Sequence, residues 1–293
     1  MVETLEELVG RSYGPIRFRV EETRVKAFVA ATGDDPERWQ SHAPPSFAAA
    51  ALFKAAPAFL FDPQVLPHAR FLLHGEQAFS WHRPWSIGDS LTISARVEKL
   101  RSRAGTSFVT FGAEVCDAEQ QPVLSSRSLF LMYAEAPPVD PVEERSEPEA
   151  EAGSVKTPPR SQPPPAAGEA LPPLEKSASR LDLVRYAAAS EDFNPIHWDH
   201  RRGVDSGVGG VICHGLLMAA WATQPAAALV NRPDPLDKAR FRFRLPLYPD
   251  RIARVETVGK GQDQGKISLV STVLSDAGEH VRASIQAKSR ERG

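Results

Sequence analysis

The chain has 293 residues, too many for one small domain and enough for two, since single domains commonly run to about 100–150 residues. Hydrophobic residues make up 42% and charged residues 25%, which is typical of a globular protein, and a formal net charge of −2 excludes the positive field that would hold nucleic acid. The two cysteines, Cys116 and Cys213, lie far apart in the sequence and give neither a disulfide framework nor a metal-ligand spacing, so we expect no metal site.

The N-terminal residues and the lengths of the apolar runs indicate where in the cell the protein is expected. Residues 1–14 are acidic, whereas a signal peptide needs a basic segment followed by an apolar one. No uninterrupted apolar run approaches the ~18 residues of a membrane span. We therefore expect a cytoplasmic protein with no membrane partner.

Two stretches of the chain repeat one order of predicted elements. Residues 28–36 read Phe-Val-Ala-Ala-Thr-Gly-Asp-Asp-Pro, and residues 186–195 read Tyr-Ala-Ala-Ala-Ser-Glu-Asp-Phe-Asn-Pro. An apolar helix is predicted after each, beginning near residues 46 and 214. Strand-like runs then follow at 91–97 and 109–115 in the first half and at 252–258 and 267–274 in the second. The two halves therefore look like diverged copies of one unit.

Between the copies lies a segment of unusual composition. From Pro137 to Pro173 the chain carries 11 of its 26 prolines, a series of glutamates and no aromatic residue. Such a segment buries too little apolar surface to offset its ordering entropy, so we predict a disordered linker. The alternative is a proline-rich peptide ligand for another protein. The predicted organisation is a first domain at 1–136, the linker at 137–173 and a second domain at 174–293.

Within each half, the pattern favours strands wrapped on one helix. Residues 241–244 alternate between apolar and basic side chains with the period of a half-buried strand, and residues 276–279 supply a turn between two such runs. Residues 216–230 are apolar or small nearly all round, which is typical of a helix enclosed by protein. An antiparallel sheet that curls around a central helix satisfies both patterns.

The densest cluster of reactive side chains follows the second copy of the repeat. Asp192 and His197 are five residues apart, with Asn194 and Pro195 between them. Pro195 fixes its own φ and moves Asn194 away from helical geometry, so the pair should flank a loop. There the carboxylate and the imidazole can hold one water, one group taking a proton from it and the other delivering a proton to a neighbouring carbon. Asn194 would orient the water or the substrate, or hydrogen-bond the loop backbone.

A glycine-rich stretch and a second histidine come next. Residues 203–210 contain four glycines, which would let a substrate lie against the backbone, and we predict that Gly210 and Pro195 contact it. His214 and Gly215 then open the apolar helix, whose first amide groups have no partner within the helix. The Gly215 N–H is suited to a developing enolate oxygen, a contact worth about 3–4 kcal/mol.

Each of these signals also has a structural reading. An Asp-to-His spacing of five arises by chance in many proteins, and Asn-Pro is a common turn. His214 is more often a helix cap or a core residue than a catalyst, so we predict a supporting role for it.

Taken together, residues 186–217 resemble the MaoC-like, or hydratase-2, family of (R)-specific enoyl-thioester hydratases and (R)-3-hydroxyacyl-thioester dehydratases. The family signature is approximately Ser-Gly-Asp-x-Asn-Pro-x-His, followed by a His-Gly at the start of the central helix of a hot-dog fold. Residues 183–186 and 192–198 look like the catalytic subunit of the mycobacterial-type heterodimeric dehydratases. Residues 43–47 and 74–77 look like its noncatalytic partner. The chain thus resembles a fusion of the two subunits.

This resemblance implies an α+β double hot-dog, in which two curled antiparallel sheets each wrap on a central helix. It implies that Asp192 and His197 form the catalytic pair, that Asn194 supports them and that Gly215 supplies an oxyanion N–H. It implies no metal or redox cofactor, and an acyl group carried on coenzyme A or on an acyl carrier protein. The implied reaction is the reversible hydration of trans-2-enoyl thioesters in fatty-acid or related metabolism.

The chain departs from the family pattern in both halves. Glu191 stands where the family usually has glycine, and if that glycine has positive φ, the substitution costs roughly 1 kcal/mol and tilts Asp192. The first copy lacks both the Asn and the His, so we expect Asp34 to be structural and each chain to have one active site. Having lost its catalytic groups, this copy has a predicted helix rich in alanine, and we predict that a long acyl chain contacts Ala50 and Ala51 there.

Two other functions remain open at this point: a hot-dog thioesterase and a noncatalytic acyl-binding module. A homo-oligomer is left open as well. Basic residues near the predicted site would meet coenzyme A phosphates or an acidic carrier protein, or would form a solvated strand face. These residues are Arg201, Arg202, Arg240, Arg242 and Arg244.

Overall fold

The structure is a computed structural model that describes residues 5–135, 138–142, 163–230 and 232–289. Its helices are α1 (Glu22–Thr32), α2 (Ala48–Leu60), α3 (Arg180–Ser190), α4 (His200–Asp205) and α5 (Gly215–Ala228). Its strands in the first half are β1 (Ser12–Arg19), β2 (His42–Ala43), β3 (Phe71–Trp81), β4 (Trp85–Ser86), β5 (Ser90–Arg103), β6 (Thr106–Cys116) and β7 (Pro122–Tyr133). Those in the second half are β8 (Leu174–Lys176), β9 (Leu236–Phe243), β10 (Ala253–Asp263), β11 (Lys266–Ser275) and β12 (Gly278–Lys288).

Ten of these strands form one antiparallel sheet in the order β1-β5-β6-β7-β3-β9-β12-β11-β10-β8. The first five strands belong to the first half, and the last five repeat their order in reverse, which agrees with the repeat predicted from the sequence. The predicted α+β class with a sheet wrapped on a helix is confirmed. The sheets of the two halves are not separate, however, because β3 pairs with β9 and joins them. Their pairing covers two edges that would otherwise be exposed.

Polar side chains line this junction. Glu76 on β3 accepts hydrogen bonds from Arg240 and Arg242 on β9. Next to it, the fully buried Gln77 donates to Ser126 Oγ at 2.9 Å and accepts from Ser128 Oγ at 2.6 Å, so its amide is satisfied inside the sheet. Glu76 thus links the two halves across the sheet, while Gln77 ties β3 to β7 within the first half.

One helix lies against the sheet in each half. Every residue of α5 from Leu216 to Ala227 is buried, as the apolar pattern predicted, and α2 is mostly buried too. In the first half, Phe59 on α2 stacks on Phe111 and Phe130 of the sheet, with ring centroids 5.2 and 6.1 Å apart. In the described part of the chain, no helix is both long and apolar enough to cross a membrane.

The predicted linker is described only at its ends, and residues 143–162 lie outside the described residues. At its start, the Val142 N–H donates to Gly209 O at 2.7 Å. Towards its end, the Leu171 N–H donates to Thr257 O at 2.8 Å, so this part runs along β10. Both ends of the segment therefore contact the second half.

Candidate active site

The Asp192 turn, defined as residues 191–197, begins where α3 ends. A capping box starts this helix, since Ser179 Oγ accepts from the Asp182 N–H and Asp182 accepts in return from the Ser179 N–H. The helix ends at Glu191, which has a left-handed φ of 62°. The chain then reverses and presents Asp192. The expectation that position 191 has positive φ is therefore correct.

Asn194 and Pro195 shape the rest of the turn. Asn194 Oδ1 accepts from the Ile196 N–H at 3.4 Å, and Pro195 opens a short 3₁₀ turn that ends at His197. Of the roles considered for Asn194, the structure shows the backbone one. Pro195 is half-buried and sets the geometry of the turn.

The turn brings Asp192 and His197 together. Asp192 Oδ2 lies 4.0 Å from His197 Nε2, and each residue is only 6% exposed. His197 Nδ1 lies 2.8 Å from Ile212 O, and because a carbonyl only accepts, Nδ1 carries the proton. The Nε2 of the neutral ring therefore has a free lone pair on the side of Asp192. A water oxygen at about 2.8 Å from both atoms would bridge them.

Burial shifts the pKa values of Asp192 and His197 in opposite directions. Desolvation raises the pKa of Asp192 to about 7, although a hydrogen bond from the Asn194 N–H opposes the shift. Desolvation lowers the pKa of His197 to about 4, against the opposing effect of Ile212 O. Near neutral pH the carboxyl group can therefore hold a proton, while the imidazole is free to accept one. Groups separated in this way are typical of acid–base sites.

His214 packs behind this pair. Its ring stacks on that of His197 with centroids 3.7 Å apart, and its Nε2 donates to Asp192 O at 3.2 Å. Burial lowers the pKa of His214 well below its ordinary value, so the ring is neutral. It also precedes the first residue of α5. His214 thus contacts both members of the pair, in keeping with a supporting position.

These three side chains are also the group that comes nearest to a metal site within the described residues. The ligand atoms of Asp192, His197 and His214 lie within 4.8 Å of one another. The two imidazole rings are stacked with only 24° between their planes, however, so their in-plane lone pairs do not converge on one point. This arrangement suits acid–base chemistry better than metal binding.

Gly215 begins α5 beside the pair, where its amide N–H lies at the positive end of the helix. The structure adds a packing reason for glycine. A Cβ at this position would come within 3.1 Å of the Phe243 ring. Glycine therefore relieves a tight contact with Phe243 of β9 and also leaves the amide accessible.

Other predicted substrate contacts lie elsewhere in the structure. Gly210 is buried, and its backbone packs against Gly203 of α4 so closely that a Cβ on Gly203 would overlap Gly210 O at 2.0 Å. Ala50 and Ala51 are buried on α2, in the same core as the stacked phenylalanine rings. A substrate contact at these three residues stays a prediction.

The predicted basic residues fall into two groups. Arg240, Arg242 and Arg244 pair with Glu76 or Glu279 along the sheet, so the strand face is largely neutralised. Arg201 and Arg202 are exposed on α4, directly after the Asp192 turn. Arg201 Nε lies 3.9 Å from Asp205 Oδ2 on the same helix, so a contact between this second group and a charged carrier stays a prediction.

Sequence reasoning missed three contacts that shape the site. Ile212 O orients His197, and Phe243 packs on Gly215. The third is an ion-pair cluster in which Arg24 and Lys54 contact Glu191. No local pattern predicts these contacts, because each joins residues that are brought together only by the tertiary fold.

The fold and the site together define a class of protein: two joined hot-dog units with a buried Asp–His pair among the described residues. Two family models match the chain, the FAS1-like dehydratase domain region over residues 7–126 and the MaoC-like domain over residues 161–279. The chain thus combines a FAS1-like dehydratase region in its first half with a MaoC-like domain in its second, which confirms the resemblance found in the sequence.

One sequence relative and two solved structures are similar to this chain. A "UPF0336 protein" of Saccharopolyspora erythraea is 33% identical over 140 residues, which are 43% of this chain and 89% of that protein. A solved MaoC-like dehydratase superposes with a TM-score of 0.80 at 21% identity and covers 98% of this chain and 100% of its own. The Rv0216 protein of Mycobacterium tuberculosis, which has a double hot-dog fold, superposes with a TM-score of 0.67 at 14% identity and covers 96% of each chain. At these identities the two structures establish the fold alone.

Proposed function

We propose that the protein adds water to trans-2-enoyl thioesters to give (R)-3-hydroxyacyl thioesters, and that it dehydrates the products in the reverse direction. One observation carries the proposal: Asp192 Oδ2 and the free lone pair of His197 Nε2 face each other at 4.0 Å beside the start of an enclosed helix. The match to the MaoC-like domain supports the reaction type, and the (R) configuration follows from the family resemblance.

In the hydration direction, His197 Nε2 takes a proton from the bridging water as the water oxygen bonds to C3. Electron density moves from the C2–C3 double bond towards the thioester oxygen, which becomes enolate-like. Asp192, protonated because burial raises its pKa to about 7, delivers a proton to C2. Water has then lost one proton and the substrate has gained one, and the ion pair left on the dyad returns to its starting state by proton transfer.

The thioester oxygen needs a donor while it carries negative charge. We assign this role to the Gly215 N–H at the start of α5, where the helix terminus adds partial positive charge. Stabilisation of this kind acts in the transition state more than in the ground state and so raises kcat. In the dehydration direction the same amide holds the enolate formed when C2 loses its proton.

The proposed reaction requires a thioester substrate but does not specify which carrier bears the acyl group. Coenzyme A and acyl carrier protein both present it on a phosphopantetheine arm, and we expect the exposed Arg201 and Arg202 to contact a phosphate or an acidic carrier. Neither carrier is favoured by the residues described.

The proposal is tested by incubating the protein with crotonyl-CoA while enone absorbance and free thiol are followed together. Loss of absorbance without thiol release is expected. Thiol release would show a thioesterase, and saturable binding without turnover across several chain lengths would show a noncatalytic module. Repeating the assay with acyl carrier protein thioesters would define the carrier, and chiral analysis of the product would test the (R) configuration.

A further inference from the structure

Glu191 adopts a backbone conformation that disfavours its side chain. Its φ of 62° lies in the left-handed region, where an L-residue with a Cβ is strained and glycine is not. It is the residue directly before Asp192. Any change in the backbone at Glu191 therefore rotates the carboxyl group that faces His197. Strained residues of this kind persist only where the surroundings hold them.

Two cations from the other half of the chain hold this residue. Arg24 Nη1 on α1 lies 2.9 Å from Glu191 Oε1, and Lys54 Nζ on α2 lies 3.1 Å from Glu191 Oε2. Each carboxylate oxygen thus meets a different helix of the first half. Arg24 Nε also donates to Ala189 O at 2.9 Å, so the same guanidinium grips the backbone of α3 two residues earlier.

Arg24 is itself immobilised, which separates this cluster from an ordinary surface ion pair. Its side chain is 15% exposed, and its guanidinium lies 5.4 Å from the centre of the Phe18 ring and 5.9 Å from that of Phe47. A cation fixed by packing loses little entropy when it binds a carboxylate. The ion pair between Arg24 and Glu191 should therefore hold the Asp192 turn in a fixed position relative to the first half.

We propose that Glu191 is a positioning residue, and that Arg24 and Lys54 use its side chain to hold the Asp192 turn in register with His197. The proposal rests on the proposed function of the dyad. It gives the first half, which lacks the Asn and His of the signature, an indirect part in catalysis through the Asp192 turn. It also accounts for a strained glutamate at a position where glycine would fit without strain.

A kinetic double-mutant cycle tests this. Lys54→Met and Glu191→Gly should each lower kcat by about 5- to 20-fold with KM changed less than about 2-fold, since small misplacements of a catalytic group are costly. The double variant should be no worse than the poorer single variant, because both changes break the same contact. Lys54→Arg should keep most of the activity. Lys26→Met, which removes an exposed ion pair with Glu22 on α1, is the matched control and should leave kcat unchanged.

Stability separates positioning from simple support. Glu191→Gly removes the ion pairs but also relieves the left-handed strain, so its melting temperature should stay within about 3 °C of the wild type while kcat falls. Effects of Lys54→Met and Glu191→Gly that multiply in the double variant would overturn the proposal. Losses of kcat that simply follow the fraction of unfolded protein would overturn it too.

A measurement that needs no turnover keeps this test independent of the proposed function. Amide hydrogen exchange in peptides covering residues 191–197 should be faster in Lys54→Met than in the wild type or in Lys26→Met. If the wild type hydrates no enoyl thioester, the proposed function fails, yet the exchange rates still report whether Lys54 holds the turn. Unchanged exchange in Lys54→Met would rule out the positioning role.

Discussion

The turn after α3 and the turn after α1 differ in the residues that come after the aspartate. Both helices end in a left-handed residue, Glu191 with φ 62° and Gly33 with φ 56°, and both then present an aspartate. After Asp192 the chain supplies Asn, Pro and His, and the imidazole comes to face the carboxyl group. After Asp34 it supplies neither Asn nor His. The fold unit thus presents the carboxylate, and the next few residues decide whether an acid–base pair forms.

The first turn uses its side chains for contacts with the second half. Lys176 on β8 donates to Gly33 O at 2.8 Å, and Arg38 donates to Val230 O just after α5. Burial raises the pKa of Asp34 against the opposing charges of Lys176 and Arg38. The contacts between the halves are therefore reciprocal. Residues of the first half hold the Asp192 turn, and residues of the second half hold the Asp34 turn.

The largest effect should come from removing the acid–base groups. Asp192→Asn and His197→Ala should each lower kcat for crotonyl-CoA hydration by about 10²–10⁴. Asp34→Asn makes the same chemical change at the equivalent position and should alter kcat by less than about 2-fold. Circular dichroism would verify that all three variants fold. An equal loss of kcat in Asp34→Asn would contradict a division of labour between the halves.

The pH dependence of kcat/KM should identify which member of the dyad is the acid. If Asp192 must be protonated and its pKa is about 7, hydration falls about tenfold per pH unit above that value. If His197 must be neutral and its pKa is about 4, hydration falls in the same way below it. A rate that instead rises through pH 7 would mean that Asp192 is the base. Asp34→Asn should leave both the acidic and the alkaline fall of the pH profile unchanged.

Much of this comparison is visible in the sequence, because it depends on local patterns. The repeat, the enclosed helix and the Asp-to-His pairing follow from periodicity and from a proline that bends the chain. The single continuous sheet could not be predicted, since the pairing of β3 with β9 depends on distant residues such as Glu76 and Arg242. For the same reason the sequence warned of strain at Glu191 but gave no sign of the cations that hold it.

The buried carboxyl group of Asp192 should lower the stability of the fold. The pKa of Asp192 rises from an ordinary 3.8 to about 7, so between those values the unfolded chain ionises and the folded chain does not. Wild-type stability therefore falls as pH rises through this window, and it is not lost further above it. Asp192→Asn cannot ionise and should be more stable than the wild type at pH 8 by about 4 kcal/mol.

Thermal unfolding of the two proteins at pH 4 and pH 8 measures this difference. The stabilisation by Asn should be large at pH 8 and small at pH 4, where the folded Asp192 is protonated and the unfolded one is only about half ionised. Equal effects at the two pH values would mean that the carboxyl group is not desolvated in the folded protein. Gain of stability with loss of activity is the expected signature of a strained functional group.

The smallest effect concerns the Asp34 turn, where we expect loss of stability without loss of chemistry. Lys176 is 3% exposed, and Lys176→Met would leave Asp34 with one fewer buried counter-charge and Gly33 O without its donor. The free energy of unfolding should fall by about 1–3 kcal/mol while kcat changes less than about 2-fold. Lys266→Met, which removes an exposed ion pair with Asp237, is the matched control and should cost less than about 1 kcal/mol. Denaturant unfolding beside kinetics decides the point, because a large fall in kcat at unchanged stability would place the Asp34 turn in the chemistry rather than in the scaffold.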